Sequence, residues 1–266
     1  MSKILCLPDI HGRKFWRKAI DNNVEKVDKI IFLGDYLDPY QDEISKNPNL
    51  MECKDSIDIY NLLNMMKDII SLKENEPNKY ILLTGNHTDS YIWSKFAAGS
   101  RTDYENWELY HKLFLEKLNL FNFVWIENDV IFSHAGISEG WAYEFLANYM
   151  QYDESALEGS LVRETAEVLR DTPLKDFNNA YIRAISNISY KRYGSYQYGS
   201  CEWADILEHI DNISGEGIIK PKGEDGIFQI FGHTQLKKPV ITDKWACLDC
   251  RRGFIVDTLT HEITEC

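Results

Sequence analysis

Lys29-Ile30-Ile31-Phe32-Leu33 leads directly into Gly34-Asp35-Tyr36-Leu37-Asp38, and the rest of the chain is best read outward from this junction. The first five residues form an apolar, β-branched run of the length of a buried strand. Gly34 ends the run and permits a sharp backbone turn. Two carboxylates, Asp35 and Asp38, then stand three residues apart on a loop at the carboxyl end of a strand. Open α/β sheets place their ligands at that edge. Gly-Asp after a strand is also common turn chemistry, so the stretch alone does not separate a site from a solvated turn.

Four more segments repeat the construction. Ile4-Leu5-Cys6-Leu7-Pro8 is followed by Asp9-Ile10-His11-Gly12, and Tyr80-Ile81-Leu82-Leu83-Thr84 by Gly85-Asn86-His87. Asp129-Val130-Ile131-Phe132-Ser133 precedes His134-Ala135-Gly136, and Ile227-Phe228-Gln229-Ile230-Phe231 precedes Gly232-His233-Thr234. Five strand ends that each carry Asp, His or Asn beside Gly point to a shared ligand-bearing edge.

Composition narrows the function. At 266 residues the chain can bury one large core, as one domain or one domain with an insertion. Its 44% hydrophobic and 27% charged content is that of an ordinary soluble globular protein. There is no run long enough to span a membrane and no signal-peptide pattern, so a cytoplasmic protein with no membrane partner is expected. A formal net charge of -13 argues against broad, nonspecific nucleic-acid binding. Clustered Asp9, Asp35 and Asp38 would repel a phosphate ester unless cations reversed the local field.

Helical spacing is expected over Lys14–Asn22, over Met51–Leu72 with a polar turn after it, and over Tyr104–Leu118, whose Trp107, Tyr110, Leu113 and Phe114 read as core. From Glu139 to Ile213 the pattern is mainly helical, broken by the Tyr-Gly-rich stretch Tyr190–Gly199, a candidate substrate-facing rim. Short strands with an antiparallel look follow from Ile227. Cys247 and Cys250 lack the second pair that a structural zinc would need and sit in a strand-like stretch, Trp245–Val256, so they read as reduced, packed thiols.

Asp9-x-His11-Gly12, Gly34-Asp35-x-x-Asp38, Gly85-Asn86-His87, His134-Ala135-Gly136 and Gly232-His233-Thr234 resemble, in order and spacing, the five motifs of the calcineurin-like metallophosphoesterases. The pattern is most similar to the Ser/Thr protein phosphatase branch and its bacterial and phage relatives, which include dinucleoside tetraphosphatases. The resemblance implies a single domain over 1–266, a four-layer α/β/β/α sandwich of two mixed sheets, with a mainly helical insertion at about 139–213. It implies two divalent transition-metal ions, Asp9, His11 and Asp35 holding the first and Asp35, Asn86, His134 and His233 the second. Carboxylate and imidazole suit manganese, the first choice, and also iron or zinc. A metal-bridging hydroxide would attack the phosphorus. His87, paired with Asp38, would protonate the leaving oxygen.

The sequence departs from the family at informative places. The family usually follows its second aspartate with Arg-Gly, whereas Pro39-Tyr40 stands here, and Thr84 and Thr88 replace further family residues. A phosphate-binding arginine is therefore missing from its usual place. Arg192 is the first candidate to replace it, followed by Arg183, Arg251 and Arg252. The expected activity is hydrolysis of phosphomonoesters on proteins, with dinucleoside polyphosphate or nucleotide hydrolysis as the alternative. The alternative of another class is an inactive scaffold. The expected partner is accordingly a phosphoprotein or a nucleotide.

Overall fold

Three of the five strand–ligand segments lie in one sheet and two in another. The computed structural model describes residues 2–40, 62–94, 101–149, 160–177, 179–210 and 227–266. The chain divides into two compact units, Met1–Phe121 with Arg251–Cys266, and Asn122–Cys250.

The first unit is built on a six-stranded sheet. Strands β1 (Lys3–Leu7), β2 (Lys29–Phe32) and β3 (Tyr80–Leu83) run parallel, with Cys6 opposite Ile31 and Ile31 opposite Ile81. Parallel strands are covered on both faces, which explains their continuous apolar runs. Ile4 to Leu7 and Ile30 to Leu33 are entirely inaccessible to solvent. A short β4 (Phe121–Asn122) edges the sheet beyond β3. On the other side β10 (Phe254–Asp257) pairs antiparallel with β1, and β11 (Ile263–Glu265) antiparallel with β10.

Helix α1 (Phe15–Asn23) crosses from β1 to β2 and buries Trp16, Ala19 and Ile20, an i, i+3, i+4 stripe. Helix α2 (Leu62–Asn75) buries Leu62, Met65, Met66, Ile69 and Ile70 and packs on β3. It outlasts the expected end at Leu72 because Lys73, Glu74 and Asn75 are polar without being helix breakers. Pro77 sets the limit. The expected first half of this helix, residues 51–61, falls outside the described residues, as do Cys53 and most of the polar loop after Asp38. The short α3 (Asn86–Ile92) starts at the end of β3, and α4 (Trp107–Glu116) begins later than its sequence suggests. Asp103 accepts hydrogen bonds from the Asn106 backbone (3.1 Å) and side-chain amide (2.8 Å), holding residues 103–106 in a turn ahead of the helix.

The second unit carries a five-stranded sheet in the order β5 (Val124–Glu127), β6 (Val130–Ser133), β7 (Phe228–Phe231), β9 (Trp245–Cys247), β8 (Val240–Ile241). Pairs β6–β7 and β7–β9 are parallel and the outer pairs antiparallel. Both sheets are thus mixed, and the protein is a mixed α/β fold with two such sheets. Between β6 and β7 in the chain come α5 (Glu139–Tyr149), α6 (Leu161–Asp171), α7 (Asn179–Ile185) and α8 (Ile206–Ile210). The stretch Trp245–Val256 is not one strand. β9 ends at Cys247, the chain turns, and β10 belongs to the other sheet. Among the described residues Cys247 and Cys250 form no disulfide, and both are buried.

Candidate functional site

The loops after β1 and β2 are clipped together through their backbones. His11 N–H donates to Asp35 O (2.7 Å) and Gly12 N–H to Tyr36 O (2.9 Å). The Tyr36 hydroxyl donates to Leu83 O (2.8 Å), tying the same loop to the end of β3. Asp9, His11, Asp35 and Asp38 all have positive φ, between 33° and 60°. Left-handed backbone in a residue with a Cβ costs on the order of 1–3 kcal/mol and persists only where its surroundings over-determine it. Each strand before these residues contains fully buried Ile or Leu, worth roughly 1.5–3 kcal/mol apiece, which offsets that strain.

Asp35 divides its carboxylate between two tasks. Oδ1 accepts the His87 backbone N–H (2.9 Å) at the start of α3, while Oδ2 lies 3.6 Å from His11 Nε2. That second separation is too long for a hydrogen bond. His11 Nδ1 donates to Leu37 O at 2.7 Å, so Nε2 keeps its lone pair and faces Asp35. Burial, the largest influence, pushes the His11 pKa well below the ordinary histidine value, and the Asp35 carboxylate opposes it. His11, Asp35 and His87 are all buried, with ligand atoms within 4.8 Å of one another.

His87 Nδ1 lies 2.8 Å from Asp38 Oδ2. The Tyr91 hydroxyl donates to Asp38 Oδ1 and accepts from Asp103 N–H at 2.8 Å. Burial first, then the Asp38 charge, raises the Tyr91 pKa far above the usual phenol value, so the hydroxyl keeps its proton as donor. Tyr91 sits one helical turn after His87, on the same face of α3.

In the second unit, His134 follows β6 and His233 follows β7. Their Nε2 and Nδ1 atoms are 3.1 Å apart, both rings are buried, and Gly232 N–H donates to His134 O (2.8 Å). The buried Gln229 amide clips to Ile137, accepting from its N–H (2.9 Å) and donating to its carbonyl (3.0 Å). His209 Nε2 contacts Ala135 O at 3.1 Å, and Gly136, at φ 85°, leaves no room for a Cβ, which would lie 2.6 Å from that same nitrogen.

The calcineurin-like phosphoesterase family profile matches residues 2–237. The chain belongs to that family. A solved cold-active protein-tyrosine phosphatase of a psychrophilic Shewanella species is similar in fold, at TM-score 0.55 and 12% identity, covering 100% of this chain and 80% of that one. A protein serine/threonine phosphatase from Saccharomyces cerevisiae gives TM-score 0.45 at 13% identity over 96% of this chain and 71% of that one. No match was found among curated proteins.

This phosphoesterase has a donor set suited to divalent transition metals. His11 and His87 each have Nδ1 fixed by an oxygen, leaving Nε2 for other work, and an anionic carboxylate oxygen sits beside them. The grouping contains His87, which the resemblance makes an acid. It does not contain Asp9, which the resemblance makes a ligand. Asp9 is buried at the end of β1, with its carbonyl accepting from the buried Arg13 guanidinium (2.8 Å). Asn86 is the first residue of α3.

The four arginines from the sequence are dispersed. Arg192 donates to Thr234 Oγ1 (2.7 Å), beside His233, and its Nε is 2.7 Å from Asp205 Oδ2. Arg252, ahead of β10, pairs with Glu265 of β11, Arg183 is exposed on α7, and Arg251 has φ 60° in the turn before β10. Sequence reasoning missed Tyr91, Arg101 and His209. Tyr91 had a signal, its helical spacing from His87. Arg101 had none, since it precedes a turn without periodicity.

Proposed function

We propose that the protein is a dinuclear metal-dependent phosphomonoesterase of the Ser/Thr protein phosphatase type. The observation that carries the reading is the buried His87–Asp38 pair beside His11 and Asp35. Two divalent transition-metal ions, manganese first, would draw charge from phosphate oxygens and make water acidic enough to react near neutral pH. The ligands proposed are those of the resemblance, Asp9, His11 and Asp35 for one ion and Asp35, Asn86, His134 and His233 for the other. Asp35 keeps one oxygen on the His87 amide and turns the other toward His11. His87 holds a proton on Nδ1 toward Asp38, and its Nε2 is the atom that would hand a proton to the departing alkoxide. Arg192, anchored beside His233 and Thr234, is the first of the four arginines proposed to meet substrate phosphate.

One observation favours the second reading, hydrolysis of a dinucleoside polyphosphate. Tyr190, Tyr193 and Tyr196 are 65%, 101% and 43% exposed around one tight turn, where a nucleobase could stack. The turn is held shut by Tyr190 N–H donating to Tyr196 O (2.8 Å) and by Gly194 against Ile188.

The test is parallel hydrolysis of an aryl phosphate, phosphoserine peptides and a dinucleoside tetraphosphate by manganese-loaded protein, with metal content measured. Peptide turnover above dinucleotide turnover supports the first reading, and the reverse order the second. Absence of both turnover and bound metal would leave a binding scaffold.

A further inference from the structure

Pro39-Tyr40 stands where the family usually carries Arg-Gly after its second aspartate, yet a guanidinium from elsewhere in the chain, that of Arg101, lies against this same segment. We propose that Arg101 is the phosphate-gripping residue of the first unit, and that Tyr40, part of the Pro39-Tyr40 pair replacing Arg-Gly, is its platform. The inference rests on the phosphoesterase reading and adds a substrate-binding residue to it.

Arg101 Nε donates to Asp38 O at 3.1 Å. The guanidinium carbon lies 3.6 Å from the centre of the Tyr40 ring, and the ring itself stands edge-on to His11 at 5.1 Å. A cation held flat on an aromatic face loses little further freedom when it binds an anion. Its NH2 group is 3.5 Å from His11 Nδ1, whose proton is turned to Leu37 O, so no strong bond occupies it there. Of five N–H groups, one is committed to a carbonyl, and a two-pronged edge remains beside the His11–His87 rings, whose centroids are 5.0 Å apart.

Five other arginines already have carboxylate partners. Arg17, Arg163, Arg170, Arg192 and Arg252 each meet a carboxylate. Among the described residues, no carboxylate forms an ion pair with Arg101, although the chain has a net charge of -13. The segment is also anchored to the acid pair. Two residues on, Asp103 N–H donates to the Tyr91 hydroxyl, which itself donates to Asp38. Arg101 thus shares its support with His87.

The experiment measures equilibrium binding of inorganic phosphate to manganese-loaded wild type, Arg101→Ala, Arg101→Lys, Tyr40→Leu and the control Arg17→Ala, with aryl phosphate kinetics alongside. Charge-assisted hydrogen bonds of this kind predict roughly 10- to 100-fold weaker phosphate binding and a raised KM for Arg101→Ala. Arg101→Lys should recover part of the loss, Tyr40→Leu should show a smaller one, and Arg17→Ala none. Arg101→Ala within twofold of wild type would overturn the proposal while leaving the phosphoesterase reading intact. So would a wild type that binds no phosphate. Arg101-dependent phosphate binding without any hydrolysis would uphold this site and overturn the phosphomonoesterase reading instead.

Discussion

The histidines of the strand-end loops are held in opposite ways in the two units, His11 and His87 in the first and His134 and His233 in the second. In the first unit His11 leans on Leu37 O and His87 on Asp38, so each Nδ1 faces an oxygen and Nε2 is left for other contacts. In the second unit the imidazoles face each other, nitrogen to nitrogen at 3.1 Å, and the order comes from the backbone behind them. Two neutral lone pairs at that distance repel unless a proton or a cation lies between them. The first arrangement fits the proton-donating role proposed for His87, and the second fits the proposed metal ligands.

Asp35→Asn should have the largest effect on this contrast. Asparagine Oδ1 can still accept the His87 N–H, so the loop keeps its shape while the charge facing His11 is lost. Losing a group that merely supports a ligand already costs 10- to 100-fold in metal affinity, so manganese binding should weaken by roughly 100-fold or more. Calorimetry showing wild-type affinity would remove Asp35 from the ligand set.

His87→Ala comes next and sharpens the comparison, because His87 sits both in the acid pair and within reach of His11 and Asp35. As an acid it should keep its metals and lose roughly 10²–10⁴-fold in kcat. The loss should be smaller for aryl phosphates, whose leaving groups need little protonation. Metal analysis decides: loss of metal from the variant would make His87 a ligand.

Tyr91→Phe should act more mildly. It takes one donor from Asp38 and strands the half-buried Asp103 N–H, a combination costing roughly 1–3 kcal/mol of stability. Turnover should drop by about tenfold if Asp38 needs Tyr91 for its orientation. An unchanged melting temperature together with unchanged kcat would show the hydroxyl to be idle.

What could be read in advance follows from the kind of signal. The five strand ends were legible because buried parallel strands leave unbroken apolar runs, and because Gly, Asp and His mark the turns after them. Asp9, His11, Asp35 and Asp38 owe their positions to backbone at positive φ, which such residue types tolerate better than most. Helix limits were less legible, since Lys73-Glu74-Asn75 is polar whether it coils or turns. Arg101 was invisible, because its meaning depends on Tyr40 and Asp38, some sixty residues earlier in the sequence, and no periodicity records a contact between loops. His209 was hidden in the same way, joined to Ala135 across the second unit.

The smallest effect on turnover, and the last way to press the comparison, concerns His209 behind the imidazole pair of the second unit. It is buried against Phe231 and Trp245, and burial, the largest cause, lowers its pKa to about 4 despite the carbonyl of Ala135 and the charge of Asp205. The folded protein therefore holds this ring neutral where the unfolded chain would protonate it. Its contribution to stability is complete above the unfolded pKa of about 6.5 and is lost as pH falls toward 4. A shift of that size corresponds to about 3 kcal/mol as an upper figure. Urea denaturation at pH 7.5 and pH 5 should show wild type losing stability across this window, and His209→Gln, which cannot titrate, should lose measurably less. Equal losses in the two proteins would mean that other groups carry the acid sensitivity, and that the frame behind His134 is indifferent to pH.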